Sequence, residues 1–75
     1  MPKLPVLTGR ELIKVLENMG FQQIRQRGDH VFLRHTDGKT TTVPVHSGEP
    51  IDRGLLNKII KRDLQMTREE FEKYL

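Results

Sequence analysis

The chain has 75 residues and a formal net charge of +3, from 13 Lys and Arg against 10 Asp and Glu. A chain this short forms one domain, residues 1–75, and buries only roughly 60–65% of the surface its unfolded form exposes. That excludes a multidomain enzyme, a dinucleotide-binding fold and a deep substrate pocket. What remains is a small binding module or a catalyst that works on its surface.

Cysteine is absent, which rules out disulfides and thiolate metal sites. No run of 18 apolar residues exists to span a membrane. Residues 1–7 carry two prolines and no continuous apolar stretch, so they do not read as a signal peptide. The expectation is a soluble cytoplasmic protein. Charge is unevenly spread: residues 1–62 hold 11 basic and 6 acidic side chains, and residues 63–75 hold 2 and 4. The body is more basic than the total suggests, which suits a polyanionic partner without requiring one.

The first predicted element is a helix over residues 9–19. Thr8 and Glu11 form a capping box, and Leu12, Ile13, Val15, Leu16 and Met19 recur on one side at helical spacing. Gly20 supplies a left-handed stop. Three strands follow, residues 21–27, 30–36 and 39–45. Gly28-Asp29 turns the chain between the first two, and Asp37-Gly38 between the last two, because both positions of such a turn tolerate positive φ. Strand alternation puts Ile24, Val31, Leu33, Val43 and Val45 against the helices. Arg25, Arg27, His30, Phe32 and Arg34 then lie on the opposite face, unless a one-residue bulge exchanges them. Residues 46–50 read as a loop. Asp52 caps a second helix ending near Arg62, with Leu55, Leu56, Ile59 and Ile60 as its stripe. Asp63 would fall within that stripe. Thr67 and Glu70 form a second capping box for a short helix through Tyr74, whose apolar edge is Phe71, Tyr74 and Leu75. The order α-β-β-β-α-α is an α+β sandwich, a three-stranded antiparallel sheet with helices packed on one face.

Three segments, with a fourth continuing them, carry a family resemblance. They are residues 9–16 leading to Gly20-Phe21, then Gln26 to Phe32 with Gly28-Asp29-His30 inside, then Thr42-Val43-Pro44-Val45-His46, then Ile51 to Lys61 with Gly54-Leu55-Leu56. In this order they resemble the HicA (YcfA-like) toxin family of toxin–antitoxin modules over about residues 4–62. Residues 63–75 form a helical extension on which the resemblance is silent. It implies a fold like double-stranded RNA-binding domains, an endoribonuclease acting on mRNA, and a HicB-type antitoxin as partner; no cofactor is expected from the residues. The family's catalytic histidine follows a glycine and a small residue, usually Ser, at the start of the second strand. The matching residue is His30, after Gly28 and Asp29. Asp in place of Ser is a departure that would set a carboxylate beside the imidazole.

The residue chemistry is compatible with that implication. RNA cleavage needs a proton taken from a 2′-OH and charge stabilised on the phosphorus. Imidazole titrates near neutrality and can do the first. Arg25, Arg27 and Arg34 can do the second. His35, five residues from His30, falls on the other face and reads as a hairpin-end or partly buried residue. His46 is either a loop-fixing hydrogen-bonder, the reading favoured by the sequence, or a second catalytic or RNA-binding group. Lys58, Lys61 and Arg62 could track phosphates across a duplex groove or form a solvated helix face. Phe32 could stack on a base, fill a gap or meet a protein. Asp29, Asp37, Glu49 and Asp52 sit at turn and cap positions and show no metal-ligand spacing. The alternative function is a non-catalytic RNA-binding module of the same fold.

Overall fold

The computed structural model describes residues 5–75; the part of the N-terminal reading that concerns residues 1–4 lies outside them. Helix α1 spans Gly9–Met19. Its capping box closes in both directions. The Thr8 hydroxyl accepts the Glu11 N–H at 3.2 Å and the Glu11 carboxylate accepts the Thr8 N–H at 2.9 Å. Gly20 ends it at φ 108°. A side chain there would also meet the His35 ring, 2.9 Å from the position of an added Cβ. Gly9 is needed for a different reason: α1 starts so close to β3 that an added Cβ would lie 2.3 Å from the Pro44 carbonyl oxygen.

Strands β1 (Phe21–Arg27), β2 (His30–His35) and β3 (Thr40–Pro44) form an antiparallel sheet in the order β1-β2-β3. Val31, Leu33, Thr41 and Val43 are buried on the face that receives the helices. The core joins Leu7, Leu12, Ile13, Val15 and Leu16 to Phe21, Val31, Leu33 and Val43 of the sheet, and to Ile51, Leu56, Ile59, Ile60, Leu64 and Phe71 from the C-terminal half.

The expected placement of Ile24 in this core is wrong. Ile24 is 55% exposed. Gln23 pairs with Leu33 and Arg25 pairs with Phe32, which leaves Ile24 as the extra residue of a β-bulge. The cause lies at Phe21, which is buried and packs edge-on against His35, ring centroids 5.1 Å apart. Phe21, Arg25 and Arg27 share one parity. Strict alternation with Phe21 inside would aim both arginines into the core. The bulge resets the alternation after Gln23, so Phe21 is inside and Arg25 and Arg27 are outside.

Helix α2 spans Arg53–Lys58 and opens on the Asp52 carboxylate, which accepts the Gly54 and Leu55 N–H groups at 2.9 and 3.3 Å. It runs on into a π-helical segment, Ile59–Asp63, closed by the Leu64 N–H on the Ile59 carbonyl at 2.9 Å. The helix therefore reaches one residue past the expected end at Arg62. The wider turn gives Asp63 a partner on the sheet: the Thr41 hydroxyl donates to its carboxylate at 2.8 Å. The segment ends with Gln65 at φ 55° and the Met66 N–H on the Ile60 carbonyl at 3.1 Å, a left-handed cap made without glycine. Helix α3 spans Arg68–Glu72 behind the Thr67–Glu70 capping box. It stops short of Tyr74. Its docking residue is Phe71 alone, fully buried, whereas Tyr74 and Leu75 are 43% and 55% exposed and do not form the expected apolar edge.

Candidate active site on the open sheet face

The face of the sheet turned away from the helices carries a small grid of side chains. Register sets it: Arg27, His30 and Pro44 are neighbours across the three strands, then Arg25, Phe32 and Thr42, then Gln22, Arg34 and Thr40. Val31 and Leu33 are buried between these rows, so His30, Phe32 and Arg34 project outward together.

His30 is exposed and opens β2. Its placement follows from the turn before it. Gly28 takes φ 58° with open space where a side chain would be, the Gln26 amide donates to the Gly28 carbonyl at 3.1 Å, and the Asp29 carbonyl accepts the Val45 N–H at 2.6 Å. The turn is thus tied to the end of β3. The Asp29 carboxylate does not approach His30 as an ion-pair partner; it stands 3.4 Å from Nδ1 of His46.

The three arginines are not equivalent. Arg27 is the direct cross-strand neighbour of His30. Arg25 lies one row along, its guanidinium 4.9 Å from the centroid of the Phe32 ring, a cation–π contact that holds the head group over the sheet. Arg34 is four residues from His30 along β2, roughly 13 Å at about 3.3 Å per residue. That is too far for the two side chains to share one small anion.

On the β3 edge His30 shares a cleft with Thr42, Pro44, Leu55, Lys58 and Asp63. Lys58 is therefore the one basic residue of the second helix that lines a groove with His30. Lys61 and Arg62 are exposed on the π-helical turn and do not line that cleft. Sequence reasoning did not identify the cleft, because it is built from a strand edge and a helix that are far apart in the chain.

His35 has a structural task. Its Nε2 faces the Met19 carbonyl at 2.9 Å, so that nitrogen carries the proton, and its Nδ1 accepts the Asp37 N–H at 3.1 Å. It ties the end of α1 to the β2–β3 hairpin, on the face opposite His30. In that hairpin Asp37 accepts the Lys39 N–H at 2.9 Å and the Lys39 ammonium at 3.0 Å. The Lys39 backbone bond, then its side-chain bond, hold the Asp37 carboxyl below its ordinary range. Thr67 bonds lower Glu70 in the same way. Among the described residues no three His, Asp or Glu side chains cluster as a metal site requires, and no helix is long and apolar enough to cross a membrane.

Compared with curated proteins one by one, the sequence finds no match. Compared with family models, residues 9–64 match the HicA toxin of bacterial toxin–antitoxin modules. The matched stretch contains α1, the whole sheet, α2 and the π-helical segment, which is every element that builds the open face and its cleft, and it stops before α3. The chain belongs to the HicA toxin family.

Proposed function

We propose that this HicA-family toxin is a metal-independent mRNA endoribonuclease with His30 as the base that activates a 2′-OH. The observation that carries the reading is the position of His30: exposed, at the head of β2, beside Arg27 and at the mouth of a cleft lined by Lys58. A base there meets a phosphate held by cations from two sides, with no pocket to enter. Arg27 stabilises the reacting phosphate, Arg25 and Arg34 hold the strand along the open face, and Lys58 receives the backbone at the β3 edge. Lys61 and Arg62 add attraction from farther out. A single positioned base supplies roughly 10²–10⁴-fold, which suits a toxin whose effect accumulates by destroying messages in the cytoplasm. The partner is a HicB-type antitoxin that covers the His30 face or the basic surface.

The test is cleavage of labelled RNA by purified protein in EDTA. Wild type yields fragments and His30→Ala does so at least 100-fold more slowly. The same variant should fail to arrest growth in a host without the antitoxin. Equal cleavage by wild type and His30→Ala would remove His30 from the mechanism. Cleavage at a 2′-deoxy linkage would exclude 2′-OH attack.

A further inference from the structure

A second imidazole, that of His46, lies against the turn that presents His30. Val43 is buried and Val45 packs against the core, while Pro44 between them lies on the open face. Pro44 is the cross-strand neighbour of His30. His46 follows two residues further on, in the loop just beyond β3. Asp29 stands between the turn that presents His30 and the loop that presents His46, with its carboxylate 3.4 Å from His46 Nδ1.

The bland role for this pair is to pin the loop. The loop is already pinned by its backbone: the Val45 N–H donates to Asp29 at 2.6 Å and the Glu49 N–H to the His46 carbonyl at 3.1 Å. The side-chain pair is more than half exposed on both partners. Exposed pairs of this kind add little to stability. Its geometry serves chemistry better. With a carboxylate beside Nδ1, Nε2 is the ring nitrogen left to meet a ligand.

We infer that His46, held by Asp29, is the general acid that protonates the leaving 5′-oxygen; the inference rests on the reading of His30 as base. The step balances without another reactant. The 2′-oxygen bonds to phosphorus as its proton passes to His30. The bond from phosphorus to the 5′-oxygen breaks as His46 gives its Nε2 proton to that oxygen. A 2′,3′-cyclic phosphate and a free 5′-hydroxyl result, and both rings regain their starting state by exchange with water. His46 is a catalytic residue in this step and Asp29 a positioning residue.

The experiment uses an RNA whose scissile linkage has been mapped with wild type, made with either the natural 5′-oxygen or a bridging 5′-sulfur. Sulfur leaves as a thiolate and needs no proton. His46→Ala should cut the oxygen substrate about 10²–10⁴-fold more slowly and the sulfur substrate within about tenfold of wild type. Asp29→Ser should show a smaller deficit, also relieved by sulfur. His30→Ala should be slow on both. Relief by sulfur separates a lost acid from a misfolded protein, which sulfur cannot rescue. Wild-type rates for His46→Ala on the oxygen substrate, or a deficit that sulfur leaves in place, would overturn the inference and leave His30 standing. A wild type inert on both substrates would defeat the nuclease reading and this inference with it.

Discussion

Phe71 offers the sharpest quantitative test of the fold. It lies in α3, beyond the residues that match the family, yet it is fully buried in the common core. Truncating a buried phenylalanine to alanine costs about 3–5 kcal/mol, through lost transfer energy and the cavity left behind. A domain of this size has about 4–11 kcal/mol in total, at roughly 0.05–0.15 kcal/mol per residue. Phe71→Ala should therefore remove about a quarter or more of the stability. Phe71→Leu, which keeps most of the volume, should cost about 1–1.5 kcal/mol and stay folded. Tyr74→Ala is the control: its side chain is largely outside the core, and the loss should stay under about 1 kcal/mol. Urea titrations followed by circular dichroism read all three. If Phe71→Ala lost no more than Tyr74→Ala, α3 would not be docked as described.

Gln65→Gly should stabilise the protein by about 1 kcal/mol, because Gln65 sits in left-handed backbone that glycine adopts without the Cβ penalty; an unchanged urea midpoint would refute the cap. Asp37 titrates below its ordinary value in the folded protein because of its bonds to Lys39. Its contribution is then present above the unfolded-state carboxyl pKa and lost as pH falls through the depressed folded value. The stability difference between wild type and Asp37→Asn should therefore be greatest near neutrality, begin to shrink below about pH 4 and vanish in stronger acid, as followed by thermal melts across pH.

The helices were readable because their signals are local. Thr8, Glu11 and Gly20 mark both ends of α1 within a dozen residues, and Thr67 and Glu70 do the same for the start of α3. The hairpin turns were equally local. What failed was decided at a distance. β1 holds only Phe21 and Ile24 as apolar residues, so its pattern fits either parity, and the choice is made by His35 beneath Phe21. Asp63 looked misplaced in the second helix until Thr41, 22 residues away, became its donor. Tyr74 and Leu75 shared helical spacing with Phe71, but the helix ends before them. In the candidate site, His30 and Arg27 were legible from the turn and strand parity. The partner of Asp29 was not legible, since only the return of β3 brings His46 to it.

The bulge at Ile24 divides β1 into two short grammars. Upstream of it, Phe21 answers to the interior, and a substitution there is judged by how well it packs. Downstream, Arg25 and Arg27 answer only to whatever lies against the open face. Because an unpaired residue absorbs the change of phase, the outer half of the strand is released from the demands of Phe21. Lineages can thus remodel the cationic surface of this strand, residue by residue, without renegotiating the core beneath it.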